Sequence, residues 1–276
     1  FCDDPTRTFR AVRYEGRLAA LSATEGERPG RPFAIEAETL AWLRAAVVDG
    51  ALRTVSIDRL MHEFARLLAE PAAAAMVARL VALDILAGVH PALLWTGETL
   101  RAYADLDQLW PLVDTLDAGA PPLWAARLAL LAAHLGAPEA KAVAGALHLP
   151  AEVQRLLVEV ATLRGRVAAR PLGESPHDSA LGAWLDPYSP AAIATVAALE
   201  SDGPARAQLH RFLTVVRSLR PALGGDALKE LGLPPGPLYR EALATLLARK
   251  RDDPMLTVEG ERNVLRGWLE QRDRVR

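Results

Sequence analysis

Apolar residues three and four positions apart recur along most of the chain. The spacing places them on one face of an α-helix, and it is clear in residues 35–48, 57–69 and 73–86. The same spacing continues through residues 99–116, 123–135, 138–147 and 151–167. Residues that favour strands never cluster into alternating runs. The pattern therefore predicts an all-α protein.

Pro and Gly residues separate the predicted helices. Asp4-Pro5 begins the first one, which runs to about residue 21, because Asp caps free amides and Pro suits a first turn. Residues 22–32 (SATEGERPGRP) break the pattern, and residues 171–190 are the best candidate for a domain boundary. Beyond that boundary we predict helices at residues 191–199, 205–219, 226–231, 237–251 and 258–274.

Length and composition narrow the class of protein. A chain of 276 residues that is 51% hydrophobic can bury a substantial core and form more than one structural unit. No apolar stretch is long and uncharged enough to cross a bilayer, so we expect no membrane partner. Cys2 is the one cysteine, which excludes an internal disulfide, and we see no signal peptide after Phe1. We therefore expect a cytoplasmic location.

Charge is divided unevenly along the chain. The formal net charge is −2, but the part from Gly203 onward carries 14 Lys and Arg against 9 Asp and Glu. An excess of positive charge at one end is what a phosphate-binding region would show. A solvated helix surface explains the same excess.

A carboxylate and a guanidinium stand three residues apart at the start of the first predicted helix. At that spacing Asp4 and Arg7 can face one cleft. The carboxylate accepts from an exocyclic amine and the guanidinium donates to a ring nitrogen or carbonyl, so the pair can read the Watson–Crick edge of a base. Arg10, Arg13 and Arg17 fall within about 60° of one another on the same helix. Such a basic stripe suits a triphosphate or RNA backbone, whereas the alternative is a helix cap beside a solvated Arg face.

Three segments resemble one family. DDPTRTFRAVRYEGRL, which follows Cys2, resembles the neck of bacterial CCA-adding enzymes and poly(A) polymerases, where an acidic-Asp-x-x-Arg motif opens a helix. SIDRLMHEFARLLAE resembles the helix after the neck, and GGDALKELGLPPGPLYREALATLLARKRD resembles the tail signature. The three segments occur in the family's order and span nearly the whole chain. In that family the Asp and Arg of the motif select CTP and ATP, and by position these roles fall to Asp4 and Arg7.

The resemblance implies a multi-helical architecture with a neck at residues 1–55, a body at 56–170 and a tail at 171–276 that binds tRNA. It implies addition of CMP or AMP, from CTP or ATP, to the 3′ end of tRNA. The family's catalytic head, with its Asp-x-Asp pair and Mg²⁺, is expected to be absent from this chain and to be its amino-terminal partner. The alternative is a non-catalytic α-helical module that binds another protein.

The sequence departs from the family pattern in three places. Asp3 stands where Glu is commoner, and residues 19–31 are inserted before the second neck helix. Asp105-Leu106-Asp107 is the one Asp-x-Asp, but it lies in a helical pattern without a Gly-Ser loop or a strand. We interpret it as surface charge and predict no catalytic residue or metal ligand in this chain.

The remaining candidates lie in the tail and among the aromatic residues. Lys229 and Arg240 flank the turn LGLPPGP, which can hold a phosphate at a helix start or be a plain helix corner. With these two we predict that Arg217 and Arg220 bind RNA. Tryptophans that sit among apolar neighbours are expected in the core rather than as base-stacking platforms, and these are Trp42, Trp95, Trp110, Trp124 and Trp184.

Overall fold

A computed structural model describes residues 1–24, 33–169, 177–233 and 236–273. The regular structure in these ranges is helical and includes no strand, which confirms the predicted all-α class. The helices are α1 (Arg7–Thr24), α2 (Ala37–Val48), α3 (Ile57–Leu68), α4 (Ala73–Ala82), α5 (Ile85–Val89), α6 (Gly97–Leu116), α7 (Leu123–Ala132), α8 (Ala137–Ala146), α9 (Ala151–Ala169), α10 (Asp178–Leu185), α11 (Pro190–Leu199), α12 (Pro204–Thr214), α13 (Gly225–Glu230), α14 (Pro237–Asp252) and α15 (Val258–Asp273).

The chain forms two compact units. The first comprises Phe1–Arg170 and Ser189–Ser201, and the second comprises Pro171–Tyr188 and Asp202–Arg276. Helix α11 follows a segment of the second unit in sequence, but it packs in the first unit against α6, α7 and α9 with every residue buried. The division of the first 170 residues into neck and body stays a prediction.

Helix α3 lies near the centre of the first unit. It packs against α1, α4 and α7, and its apolar positions recur with helical spacing. The buried residues on this face are Leu60, Met61, Phe64, Leu67 and Leu68. The buried side chain of Arg127, on α7, reaches the end of α3 and donates from Nη1 to the carbonyl oxygens of Leu68 (2.7 Å) and Glu70 (2.8 Å). The Leu68 carbonyl is among the last of α3, which have no amide partner within the helix, so Arg127 caps the end of α3.

The same guanidinium gives a role to the Asp-x-Asp segment of α6. Asp107 Oδ1 accepts from Arg127 Nη2 (2.7 Å) and Nε (3.2 Å). The Asp107 side chain keeps 40% of its surface exposed, so the interpretation as surface charge holds for its position. This carboxylate also neutralises the buried guanidinium of Arg127, so its role is structural.

Two predicted helices are interrupted. The segment predicted as one helix over residues 73–86 is split into α4 and α5, because Asp84 takes the left-handed backbone conformation (φ 58°). The segment predicted over residues 205–219 leaves the α-helical conformation after Thr214, and a short 3₁₀ turn follows at Val216–Ser218.

Helix α10 lies within residues 171–190, which sequence analysis assigned to a looser segment. It is held by charged residues of the second unit: Asp178 accepts two hydrogen bonds from Arg211 (3.0 and 2.7 Å). Arg251 crosses it at Gly182, where an added Cβ would lie only 2.0 Å from the guanidinium. Long-range contacts therefore stabilise this helix together with the burial of Leu181 and Leu185.

The second unit has its own core between α13, α14 and α15, with Leu228, Leu246 and Leu265 fully buried. Glu261 is also fully buried, and its carboxylate accepts from the backbone amides of Ala222 (3.1 Å) and Leu223 (2.9 Å). A carboxylate that receives two amides fixes the path of the chain into α13.

The turn after α13 has the geometry that its Gly and Pro residues predict. Gly232 has a left-handed φ of 83°, and Leu233 N donates to Leu228 O while Gly232 N donates to Lys229 O. This pair of bonds is a Schellman motif. Pro237 then occupies the first turn of α14. Pro234 and Pro235 lie outside the described residues.

Throughout the described ranges, no helix combines the length and apolar character needed to span a membrane.

Candidate functional site

The carboxylate of Asp4 receives donors from two helices. Its Oδ1 accepts from Thr6 N (3.2 Å), Thr6 Oγ1 (2.6 Å) and Arg59 Nη2 (3.3 Å), and its Oδ2 accepts from Arg10 Nη2. The side chain is 21% exposed. Asp4 thus closes the turn before α1, as the predicted cap would, and also ties α1 to the first turn of α3.

These donors keep Asp4 ionised. The hydrogen bond from the Thr6 hydroxyl, and then the attraction of the Arg10 guanidinium, hold the pKa of Asp4 below its ordinary value. Partial burial acts in the opposite direction but does not reverse the shift. The group is therefore an acceptor, not a donor, throughout the neutral range.

Arg7 lies beside this carboxylate, as the three-residue spacing predicts. Its Nε is 3.9 Å from Asp4 Oδ2, and its side chain is 62% exposed. This distance fits an ion pair but not a hydrogen bond, so the N–H groups of Arg7 remain available to a ligand. The structure therefore brings the predicted pair together.

The three arginines that follow on α1 do not form one open stripe. Arg10 turns back to Asp4 and also donates to Thr6 Oγ1 (3.2 Å). Arg13 and Arg17 both pair with Glu70, at 3.7 and 3.6 Å. The three guanidinium groups are thus divided between two carboxylates.

Exposure also differs along this stripe. The Arg13 side chain is only 8% exposed and its guanidinium lies 5.3 Å from the ring centre of Tyr14, whereas Arg17 is 52% exposed. Arg13 cannot meet an external phosphate without a change in its packing. The nucleotide contacts predicted for the stripe stay predictions, and the open positions for them are Arg17 and part of Arg10.

Glu15 joins three parts of the first unit. Its carboxylate accepts from Arg79 Nε (2.9 Å) and Nη2 (3.2 Å) on α4, and Oε1 also accepts from Ile35 N (3.0 Å). Ile35 lies just before α2, so this bond holds the start of α2 near α1. Of the predicted insertion at residues 19–31, residues 19–24 belong to α1, and residues 25–31 lie outside the described residues.

An open cleft of about 550 Å³, which we call the α1–α2 cleft, lies between the start of the chain, α1 and α2. Asp3, Arg7, Thr39, Trp42 and Asp49 are among the residues that line it. Its size is in the range that binds small molecules. Arg7 therefore faces both Asp4 and an open cavity.

Trp42 corrects the expectation that the tryptophans are core residues. It is 59% exposed, although its neighbours on α2, Leu43 and Ala46, are buried. Trp110, by contrast, is 6% exposed and occupies the core as predicted. The apolar residues next to Trp42 in the sequence do not indicate which face of α2 is buried.

The predicted RNA-binding residues of the second unit have unequal surroundings. Arg217 donates to Tyr188 O (3.3 Å) and lies 5.8 Å from the ring centre of Phe212. Arg220 donates to the carbonyl oxygens of Arg217 (2.6 Å) and Leu219 (2.8 Å). These two arginines support the loop after α12.

Lys229 and Arg240 are exposed on either side of the turn between α13 and α14. Both long side chains can therefore meet a phosphate without breaking an internal contact, and their RNA-binding role stays a prediction.

Within the part of the chain that the structure describes, no three His, Cys, Asp or Glu side chains cluster closely enough to hold a metal ion. Asp107, the more exposed member of the Asp-x-Asp segment, is already paired with Arg127. These residues do not fit the magnesium that the family resemblance implies.

Comparisons with known proteins point to one family. A sequence model of the family described as "Probable RNA and SrmB- binding site of polymerase A" matches residues 32–95. The chain is 28% identical over 270 residues to an A-adding tRNA nucleotidyltransferase of Geobacter sulfurreducens, covering 92% of this chain and 29% of that protein. It is 36% identical over 93 residues to a multifunctional CCA protein of Xylella fastidiosa, covering 34% of this chain and 20% of that protein. The chain thus spans less than a third of the length of these relatives.

Solved structures share the fold. A Thermotoga maritima CCA-adding enzyme in complex with tRNA superposes with a TM-score of 0.77 at 22% identity, over 97% of this chain and 62% of that chain. A CCA-adding enzyme in complex with CTP superposes with a TM-score of 0.75 at 22% identity, over 98% of this chain and 60% of that one. The sequence matches and the shared fold agree with the three motif segments. Together they support a relationship of this chain to the tRNA nucleotidyltransferase and poly(A) polymerase family.

Proposed function

We propose that this chain is the RNA- and nucleotide-binding portion of a tRNA nucleotidyltransferase or poly(A) polymerase. The parent protein adds CMP or AMP, from CTP or ATP, to the 3′ end of tRNA. The observation that carries the proposal is the pairing of Asp4 with an exposed Arg7 beside an open cleft, at the position of the family's template motif. The similarity to tRNA nucleotidyltransferases and the family match over residues 32–95 support it.

The hydrogen bonds of Asp4 suggest which oxygen reads the base. Oδ1 already accepts three donors, whereas Oδ2 accepts only from Arg10 and has Arg7 beside it. A carboxylate oxygen has two lone pairs, so Oδ2 can accept one more donor. The exocyclic amine of cytosine or adenine supplies that donor. Uracil and guanine present a carbonyl at the equivalent edge, and the ionised carboxylate repels it.

Arg7 completes the recognition. Its exposed guanidinium donates to the ring nitrogen or carbonyl that lies next to the exocyclic amine. A carboxylate and a guanidinium that act together require an amine beside an acceptor, a pattern that cytosine and adenine share. The pair therefore accepts both CTP and ATP and rejects UTP and GTP.

RNA contacts are assigned to exposed cations. In the second unit these are Lys229, Arg240 and Arg220, with Arg217 as a support for the loop. Arg17 is the exposed cation of the α1 stripe. Cations on long exposed side chains bind phosphates without sequence preference, which suits a tRNA backbone.

Nucleotidyl transfer itself is assigned to a catalytic head of the parent protein that binds Mg²⁺. The described residues contribute recognition, so the pure chain is expected to incorporate no nucleotide into tRNA at any magnesium concentration. Incorporation by the pure chain would place the chemistry within it and contradict this assignment.

Binding of tRNA at several salt concentrations tests the proposal against the alternative of a protein-interaction module. Displacement of counterions from phosphates makes log Kd change linearly with log salt concentration. We expect the chain to bind tRNA with such a dependence, measured by filter binding. No binding of tRNA at low salt would favour the interaction module.

A further inference from the structure

The indole of Trp42 lies in the α1–α2 cleft with the side chain of Arg7. More than half of its surface, 59%, is exposed, although Trp gains more than other side chains from burial. The large aromatic surface at this cleft therefore lacks a cover among the described residues.

The polar residues around the indole suit a nucleobase better than an apolar protein surface. Asp3 and Asp49 present carboxylates, Arg7 presents a guanidinium, and Thr39 presents a hydroxyl. A base has a flat face for an indole and an edge with donors and acceptors for such groups. An apolar partner would leave the same polar groups without hydrogen bonds, which is costly.

We propose that Trp42 is a stacking surface for a nucleobase bound in the α1–α2 cleft. This inference rests on the proposed function, because Arg7 is the residue that the cleft shares with the base-reading pair. The base belongs either to the incoming nucleotide or to the 3′ end of the RNA. Both sources offer the same π-face, and separate kinetic measurements distinguish them.

Stacking and edge reading have different consequences. Every base has a π-face, so stacking on an aromatic side chain is tolerant of base identity. Trp42 therefore sets how tightly the base is held, while Asp4 and Arg7 set which base is accepted. From the usual effect of removing an aromatic stacking partner, loss of the indole should weaken binding about tenfold.

The test uses the full-length protein and four variants, of which Trp42→Ala removes most of the side chain. Trp42→Phe keeps an aromatic face, Trp42→Leu keeps an apolar side chain without one, and Val48→Ala alters another exposed apolar residue of α2. The KM values for CTP, ATP and tRNA are measured for each variant, and thermal unfolding verifies that each is folded. We expect Trp42→Leu to raise KM about tenfold, either for CTP and ATP alike or for tRNA alone. Trp42→Phe should stay within about threefold of the wild type, and Val48→Ala should have no effect.

The pattern of KM values identifies the source of the base. An equal rise for CTP and ATP assigns the stacked base to the incoming nucleotide, and a rise for tRNA alone assigns it to the RNA end. Unchanged KM values in folded Trp42→Leu would overturn the proposal. The proposal would also be overturned if Trp42→Phe and Trp42→Leu both kept the wild-type KM values while Trp42→Ala did not. That result would indicate an apolar contact, which needs no π-face.

Failure of the proposed function would give a different result from failure of the stacking proposal. In that case the wild-type full-length protein would add no CMP or AMP to tRNA. An active wild type with an unaffected Trp42→Leu variant would contradict only the stacking role of Trp42.

Discussion

Arg127 donates a hydrogen bond of 2.7 Å to the carbonyl oxygen of Leu68, 59 residues away in sequence. The same guanidinium reaches the Glu70 carbonyl, and the Glu70 carboxylate in turn pairs with Arg13 and Arg17 of α1. The end of α3 is therefore a junction between α7 and the helix that carries the candidate site. A substitution of Arg127 therefore affects the position of α1 indirectly, through Glu70.

Arg127→Met should destabilise the protein by about 3 kcal/mol, because it removes donors from two carbonyls and leaves Asp107 without its partner. Chemical denaturation measures the change. Arg155→Met is the matched control, since Arg155 is 68% exposed and only 3.9 Å from Glu159 at its closest. The control should change stability by less than about 1 kcal/mol. Equal stability of the two variants would show that Arg127 does not hold the end of α3.

Asp4→Asn in the parent enzyme should relax the choice of nucleotide. The amide can donate as well as accept, so it no longer repels the carbonyl of uracil or guanine. The loss of one specifying contact corresponds to about 1–3 kcal/mol of discrimination, measured as the ratio of kcat/KM for CTP against UTP and for ATP against GTP. Asn caps a helix nearly as well as Asp, so folding should be retained.

Asp58→Asn is the control for that experiment, since it removes the same charge from an exposed position next to Arg59. It should leave nucleotide choice unchanged. If folded Asp4→Asn, still bound to tRNA, chose nucleotides as the wild type does, Asp4 would be a helix cap alone.

The stabilising effect of Asp4 should depend on pH. Its pKa is lower in the folded protein than in the unfolded chain, mainly through the Thr6 hydroxyl. A carboxyl with a lowered folded pKa contributes stability above its unfolded pKa, about 3.9, and loses it as pH falls through the folded pKa. The difference in free energy of unfolding between wild type and Asp4→Asn should therefore be constant near neutral pH and shrink below about pH 4.

Thr6→Val provides a second measurement, because it removes the largest cause of the shift and keeps the shape of the side chain. The loss of stability on acidification should then be smaller than in the wild type and complete at a higher pH, because the folded pKa lies closer to the unfolded one. A difference between wild type and Asp4→Asn that does not change with pH would contradict the role of Asp4 charge in stability.

Replacing Lys229 and Arg240 together with Gln should weaken tRNA binding and flatten its salt dependence. Each lost phosphate contact lowers the slope of log Kd against log salt by about one. Both side chains are exposed, so the fold should be retained. Lys141→Gln with Arg155→Gln makes the same charge change on α8 and α9 as a control. An unchanged slope in the tail variant would assign Lys229 and Arg240 to solvated surface.

The helices could largely be predicted because most of them bury one face, which imposes apolar spacing on the sequence. Helix α10 was missed because its eight residues are held by Arg211, Arg251 and Asp252, which lie far along the chain. The break at Asp84 was missed because one left-handed residue does not disturb the apolar pattern around it.

The candidate site could be predicted only where its contacts are local in sequence. The approach of Asp4 and Arg7 follows from their three-residue spacing, which is local. Arg59 and Glu70 were missed, since their contacts with α1 come from elsewhere in the sequence. The exposed position of Trp42 depends on which face of α2 the rest of the unit covers, and neighbouring apolar residues do not reveal that.

Glu15 has a consequence for changes of chain length between α1 and α2. It binds Arg79 on α4 and the amide of Ile35 before α2, so the two ends of the α1–α2 connection are fixed independently of its length. The entropy cost of closing a loop rises only slowly as residues are added. We therefore expect a change of chain length between residues 25 and 32 to cost little stability, which makes this connection a suitable place to insert a reporter label.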